Sequence, residues 1–169
     1  MAMATQGLRF RSRTLFVIFA FFYCVGLRHS SAQQQKPNLS GTWKLNLRSS
    51  KFAPQHKRES DTYKIKHVDP RLEVAHLVDG SSQLSTYLTD GKERFVNWSA
   101  QDGALRARAY WDGDTLLIEK HQDHGSRAIE WVSRYSLSQD AKTLRITHHI
   151  TRSSFSPPFD ESLIYDKQP

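Results

Sequence analysis

The chain has 169 residues, a mass of 19.5 kDa and a formal net charge of +7, and this length corresponds to one modest domain. Hydrophobic residues make up 38% of the chain and the mean hydropathy is -0.62, which excludes a protein with several membrane-spanning helices. The single Cys excludes a disulfide-stapled miniprotein, and 8 Gly and 6 Pro without a short repeat exclude collagen-like and low-complexity chains.

The N-terminal segment is predicted to be a cleaved signal peptide. Arg residues without any acidic neighbour precede an uncharged apolar run over residues 15–27. This run is shorter than the about 20 residues that a membrane-spanning helix needs, and the small residues at 30–32 suit a signal peptidase. We therefore expect a signal-peptide helix over residues 1–32, cleavage after Ala32, and a secreted or periplasmic mature protein. An uncleaved N-terminal anchor is the alternative.

Cleavage changes both the charge and the cysteine content. Residues 1–32 contain four of the 24 basic residues and no Asp or Glu, which leaves 20 basic against 17 acidic residues and a net charge of +3. The remaining charges alternate in sign and form no basic stripe, so nucleic acid is not an expected partner. Cys24 is removed as well, so the core alone must hold the mature protein together. We expect a monomer without a membrane span after processing, with a short extension over 33–40 and one domain over 41–169.

From residue 38 onward, apolar and polar residues alternate with the period of a β-strand. The pattern recurs in ten segments, which are 42–47, 62–68, 72–78, 83–89, 93–98, 104–111, 115–121, 127–137, 143–151 and 162–167. No helix-capping residue is followed by a helical apolar repeat of useful length. The mature chain is therefore predicted to be all-β.

The connectors between these segments are mostly short and several contain Asp-Gly. This dipeptide favours tight hairpin turns, because both residues tolerate a positive φ. Examples are Asp79-Gly80, Asp90-Gly91 and Asp112-Gly113. Successive hairpins predict an antiparallel up-and-down meander of about eight to ten strands. Closure into a barrel would remove two exposed edges, and a two-sheet sandwich is the alternative.

A motif at the first predicted strand resembles the calycin superfamily, which comprises the lipocalins and the fatty-acid-binding proteins. Gly41 and Trp43 fit the Gly-x-Trp that begins the first strand in those families. The resemblance implies a barrel in which Gly41 allows a sharp turn and Trp43 is a structural plug at the base. The whole mature chain is also similar to small secreted bacterial proteins described as lipocalin-like. It departs from the fatty-acid-binding proteins because the connector over 52–60 is too short for their helix-turn-helix lid, and from the lipocalins because it lacks a helix after the barrel and disulfides.

The predicted strand over 104–111 carries the main candidate ligand-binding residues. Its two faces are Arg106, Arg108 and Tyr110 on one side, and Leu105, Ala107, Ala109 and Trp111 on the other. One hypothesis is that the first face points into the barrel and binds an anionic headgroup, as two Arg and a Tyr do in fatty-acid-binding proteins. The alternative is that the two Arg are solvated while the second face packs inside. Trp131 is a further candidate for the cavity.

The sequence contains no established catalytic motif. His121, Asp123 and His124 lie in a predicted turn that could hold zinc or copper at the surface, although ordinary polar hairpin residues are the alternative interpretation. His148 and His149 are adjacent on a predicted strand and must face opposite sides. We expect no catalytic residue, no metal and no cofactor.

These observations favour a secreted, non-catalytic barrel that binds a small hydrophobic or anionic amphipathic ligand. A second hypothesis is an envelope or extracellular interaction protein whose barrel is filled by its own side chains. A third is an enzyme built around His121, His124 or His148 inside the barrel, which would need those rings to converge in a cleft.

Overall fold

The computed structural model describes residues 35–99, 103–124, 127–152 and 157–169. The predicted signal peptide over 1–32 lies outside the described residues. No helix in the described ranges has both the length and the apolar character to cross a membrane. The strands are β1 (Gly41–Leu45), β2 (Asp61–Val68), β3 (Arg71–Val78), β4 (Ser81–Leu88), β5 (Arg94–Ser99), β6 (Gly103–Asp112), β7 (Thr115–His124), β8 (Arg127–Leu137), β9 (Thr143–Arg152) and β10 (Phe159–Lys167).

The all-β prediction is confirmed strand by strand. Each of the ten predicted segments corresponds to one observed strand, and their ends differ by at most three residues. The one helical feature in the described ranges is a short 3-10 turn, Pro54–His56, in the connector between β1 and β2. This connector therefore holds no helix-turn-helix lid, as its length predicted.

The strands form a nearly closed antiparallel barrel. Within the described residues the order of the strands is β4-β3-β2-β1-β10-β9-β8-β7-β6-β5, so the first and last strands of the chain are paired neighbours. The ends of this order are β4 and β5, which are consecutive in the chain. The connector that follows β4 pairs with β6 instead, since the amide of Gly91 donates to the carbonyl of Ala109 at 2.9 Å. The barrel thus has one seam, between β4 and β5.

The Asp-Gly turns do not all act as the sequence predicts. Asp79 and Gly80 both have positive φ, 45° and 86°, and join β3 to β4 as a two-residue hairpin turn. Asp90 and Gly91, by contrast, do not connect two paired strands. Asp90 bridges to Tyr110 on β6, because the chain leaves β4 across the seam before it enters β5.

One end of the barrel is filled by its own side chains. Strand alternation directs apolar residues from every part of the barrel inward, where they are almost fully buried. The largest of them are Leu39, Trp43, Leu72, Leu116, Ile118, Leu144, Ile146, Leu163 and Tyr165. Among the described residues, this packed layer leaves open space toward the other end, at which β2, β4, β6, β8 and β10 begin.

Trp43 lies at the centre of the packed end. Its side chain is fully buried, its indole Nε1 donates to the carbonyl of Leu39 at 2.9 Å, and the Lys167 ammonium lies 5.2 Å from its ring centroid. Gly41, with a φ of 146°, brings the chain under this ring. A Cβ atom at Gly41 would lie 3.0 Å from Cε of Lys167, so both backbone conformation and space favour glycine here.

Replacing Trp43 tests whether this packed end stabilises the barrel. We expect Trp43→Ala to lower the free energy of unfolding by about 3 to 5 kcal/mol, because it leaves a large cavity and an unpaired carbonyl at Leu39. Urea denaturation measures this difference. The control is Leu84→Ala, since Leu84 is 75% exposed and its truncation should change the free energy by less than about 0.5 kcal/mol. Similar values for the two variants would contradict a structural role for the indole.

Candidate ligand-binding cavity

A cavity of about 360 Å³ lies inside the barrel above the packed layer. Two buried tyrosines, Tyr63 and Tyr135, belong to both the core and the cavity lining and so form its floor. One part of the wall is apolar and consists of Leu105, Trp131 and Ile150. The remaining side chains are polar, namely His56, Arg58, His76, Gln83, Lys120, Gln122, Ser133 and His148. The volume is at the small end of the range of about 300 to 1,000 Å³ for ligand pockets.

The connector between β1 and β2 supplies two of the polar residues. It is tied to the barrel by backbone hydrogen bonds between Lys51 and Ser162 on β10, 2.7 and 2.9 Å long. Beyond this contact the 3-10 turn carries His56 to the cavity, and Arg58 follows two residues later. A segment that reads as an irregular polar loop therefore contributes side chains to the interior.

Arg58 connects two carboxylates that are removed from solvent. Its guanidinium donates to Asp61 at 2.7 Å and to Glu161 at 3.2 Å, and both carboxylate side chains have no exposed surface. His76 Nε2 lies 2.8 Å from Asp61, and His56 Nδ1 lies 3.3 Å from Glu161 without the geometry of a hydrogen bond. Burying an unpaired carboxylate costs free energy. Asp61 and Glu161 can therefore remain buried here because Arg58 pairs with both.

The pKa values within this network follow from its charges. Burial alone would lower the pKa of Arg58, but the carboxylates of Asp61 and Glu161 outweigh it and raise that pKa above its ordinary value. Burial and the nearby charge of Asp61 raise the pKa of Tyr165. Tyr165 therefore remains protonated and donates its hydroxyl to Asp61 at 3.0 Å.

His148 on β9 is a neutral group at the cavity wall. Burial lowers its pKa to about 3, and the positive charges of Arg58 and Lys120 contribute in the same direction. Its Nδ1 lies 2.8 Å from the hydroxyl of Ser133. A neutral imidazole with one nitrogen engaged in this way has its other nitrogen available to bind a ligand.

Lys120 on β7 is the one cationic residue of the lining without a carboxylate partner among the described residues. Its ammonium lies 5.7 Å from the ring centroid of Tyr87, a cation–π contact. Lys120 lies opposite Ala107 where β6 pairs with β7, and opposite Trp131 where β7 pairs with β8. The small side chain of Ala107 leaves space for the lysine to extend into the cavity.

Of the four predicted ligand-binding residues, the cavity contains only Trp131. Ala107 and Ala109 are buried on the inner face of β6, whereas Arg106 and Arg108 are exposed on the outer face. Tyr110 shares that outer face. The hypothesis that these three residues point into the barrel is therefore corrected: the small residues of β6 take the inward positions, which suits a strand packed against a filled core.

The outer face of β6 has an ion pair of its own. Arg108 pairs with Glu119 on β7, and the hydroxyl of Tyr110 donates to the other oxygen of Glu119 at 2.7 Å. The hydrogen bond from Arg108 lowers the pKa of Glu119. Arg106 and Arg108 border an outer groove whose lining also includes Glu119, Glu130, Lys120 and Trp131. Solvated pairs of this kind contribute little to stability.

The histidine groupings seen in the sequence are separated by the fold. His121 and Asp123 lie within strand β7 and not in a turn, and His121 is 3.5 Å from Glu130 on β8. His124 is the last residue of that strand. His148 faces the cavity while its neighbour His149 lies on the outer face and bonds to Asp160 at 2.8 Å.

Sequence reasoning missed most of the residues that form the polar side of the cavity. His76 interrupts the apolar inward residues of β3, and Lys120 follows the apolar inward residues Leu116 and Ile118 on β7; such interruptions are visible in the alternation. Arg58 lies in a connector, where no periodicity exists to indicate its direction. Asp61 is the first residue of β2 and reads as an ordinary polar strand end.

Comparisons with known proteins address the fold. No family model matches the chain, and no curated protein matches it. A solved structure titled "REP1-NXSQ fatty acid transporter" aligns over 78% of this chain and 96% of its own, with a TM-score of 0.53 and 11% identity. A point mutant of that same transporter aligns over 77% of this chain and 98% of its own, with a TM-score of 0.54 and 10% identity. The likeness supports a barrel of the same fold, and at this identity it concerns the fold alone.

Removal of Arg58 tests the buried network. Arg58→Gln leaves the carboxylates of Asp61 and Glu161 without their guanidinium, and we expect a loss of about 3 to 5 kcal/mol in the free energy of unfolding. The matched control is Arg71→Gln, because Arg71 pairs with Glu73 at the surface and its loss should matter little. Chemical denaturation at neutral pH measures both. A loss below about 1 kcal/mol for the Arg58 variant would contradict a desolvated ion network.

The lowered pKa of His148 predicts a dependence of stability on pH. Between about 3 and 6.5 the unfolded chain binds a proton at His148 that the folded protein does not, so stability falls as pH decreases through this window. The slope due to this residue is at most about 1.4 kcal/mol per pH unit. We expect His148→Gln to flatten the measured profile by about this amount, and His149→Gln, on the outer face, not to flatten it. Parallel profiles for His148→Gln and the unmodified protein would exclude a buried neutral imidazole.

Proposed function

We propose that the mature protein is exported and binds a small hydrophobic or amphipathic molecule in the barrel cavity, without catalysing a reaction. The observation that carries this proposal is a cavity of about 360 Å³ with an apolar wall on one side and hydrogen-bonding groups on the other. A ligand with one apolar and one polar part would satisfy both sides, whereas a purely apolar ligand would leave polar groups unpaired.

The affinity expected from such a site is moderate. Apolar area contributes about 25 cal/mol per Å², and an added charge-assisted hydrogen bond contributes about 1.5 to 3 kcal/mol. The loss of translational and rotational freedom on binding offsets much of this gain. Micromolar dissociation constants are consistent with these terms.

Two further observations support binding and export. The two solved structures compared above are titled as a fatty acid transporter and its point mutant, which is in keeping with a small apolar cargo. The N-terminal basic and apolar segment is in keeping with a secreted or periplasmic protein. Analysis of the N-terminus of the protein recovered from the host cell would test cleavage after Ala32.

The environment of His148 supports a non-catalytic role. Ser133 and His148 lie at hydrogen-bond distance and line the cavity, so they have the composition of a nucleophile and a base. A pKa of about 3 makes this imidazole a weak base at neutral pH, because an effective general base has a pKa near the working pH. The pair is better suited to holding a hydrogen-bonding ligand.

A second candidate is an interaction protein without a small ligand. The packed half of the barrel and the exposed side chains of Leu84 and Phe95, which are 75% and 62% accessible on β4 and β5, favour it. Under this alternative, native mass spectrometry of the purified protein would detect no bound small molecule.

Truncation of Trp131 tests the cavity as the binding site. The neutral fluorescent dye N-phenyl-naphthylamine should bind to the purified protein with enhanced emission, and Trp131→Ala should weaken its affinity about tenfold, or about 1.4 kcal/mol, through loss of apolar contact. Trp111→Ala is the matched control, because Trp111 is half-buried toward the packed end and hydrogen-bonds to Asp69 at 3.0 Å. No dye binding, or equal weakening by both variants, would contradict the proposal.

A further inference from the structure

The charges around the cavity are arranged in two layers. Asp61 and Glu161 have no exposed side-chain surface and neither lines the cavity. The layer in front of them consists of Arg58, His56 and His76. Arg58 and His76 lie at hydrogen-bond distance from those carboxylates, and His56 Nδ1 lies 3.3 Å from Glu161. Among the described residues, no Asp or Glu side chain contributes to the cavity lining. A ligand therefore meets hydrogen-bond donors and no negative charge.

Lys120 gives this donor layer a net positive charge. Arg58 is compensated by the carboxylates that it contacts, but Lys120 has an aromatic ring as its only described partner. An ammonium in a cavity without a counter-ion attracts an anion more strongly than one in water, since the local dielectric constant is lower. Because Lys120 is the one cation here without a carboxylate partner among the described residues, we expect a ligand with a single negative charge.

The space available limits the size of the anion. The floor formed by Tyr63 and Tyr135 rests on the packed layer around Ile118 and Ile146, so an extended chain cannot continue along the barrel axis. The volume of about 360 Å³ suits a compact apolar group against Trp131. A long acyl chain would have to leave the cavity and expose its methylenes to water.

We propose that the cavity selects compact organic monoanions, with the negative group bound by Lys120 and a short or aromatic body packed against Trp131. This inference rests on the proposed function and specifies its ligand class. It assigns the anion-binding role to a lysine on the inner face of β7, and not to the arginines on the outer face of β6.

The test compares three compounds by isothermal titration calorimetry on the full mature chain, namely naphthoate, its neutral analogue naphthylmethanol, and hexadecanoate. We expect naphthoate to bind about tenfold or more tightly than naphthylmethanol, the lower end of the effect of a charge-assisted hydrogen bond. Hexadecanoate should bind no more tightly than naphthoate. In Lys120→Met the preference for naphthoate should disappear while the affinity for naphthylmethanol stays within about twofold.

Two further variants control for folding and for general charge effects. Lys120→Arg keeps the positive charge and should retain the preference, which shows that the position tolerates substitution. Lys66→Met removes a charge from the exposed face of β2 and should leave all three affinities unchanged. Equal binding of naphthoate and naphthylmethanol, or a preference that survives in Lys120→Met, would overturn the role of Lys120 and leave the proposed function intact. Tighter binding of hexadecanoate would overturn the size limit. Absence of binding by all three compounds and by N-phenyl-naphthylamine would instead reject the proposed function.

Discussion

The carboxylate of Asp61 links four separate parts of the chain. Asp61 begins β2 and accepts hydrogen bonds from Arg58 in the preceding connector, from His76 on β3 if that ring carries its proton on Nε2, and from Tyr165 on β10. The guanidinium of Arg58 supplies the counter-charge. His76 and Tyr165 occupy the remaining acceptor sites of the carboxylate. Without this convergence, Arg58 and His76 would lose the carboxylate that holds them at the cavity wall.

The interior consequently divides into two parts with different physical roles. The end around Trp43 is dry and closely packed, and it supplies the apolar burial that a cysteine-free domain requires. The other end contains Lys120, Arg58 and His148, whose burial costs free energy that binding of a suitable ligand would recover. Close packing thus lies at one end of the barrel and the cavity at the other, where the ion pairs of Arg58 with Asp61 and Glu161 also contribute to stability.

Local sequence patterns were sufficient to predict the strands but not the residues of the candidate site. Alternation in segments such as 62–68 and 143–151 depends only on a period of two, and a turn such as Asp79-Gly80 depends only on two backbone conformations. The direction of Arg106 and Arg108 could not be obtained in this way, because both faces of β6 read as plausible interiors until pairing with β7 is known. The sequence also did not indicate that β4 and β5 are not paired with each other. Asp90-Gly91 has the composition of a hairpin turn, and yet it lies where the chain crosses the seam. Arg58 lies in a connector without periodicity, and its position depends on a contact with Asp61, three residues later, and on one with the distant Glu161.

The order of the charged layers explains how a set of residues with balanced charge can prefer anions. Arg58 and Lys120 together carry as many charges as Asp61 and Glu161, so counting alone predicts no preference. Electrostatic interaction depends on distance and on solvent access, and here the carboxylates lie behind the donors that neutralise them. The cavity surface is therefore positive although the lumen is balanced. The same residues with the carboxylates in front would attract cations, so the proposed preference for anions depends on which layer is in contact with the cavity and not on the composition of the barrel.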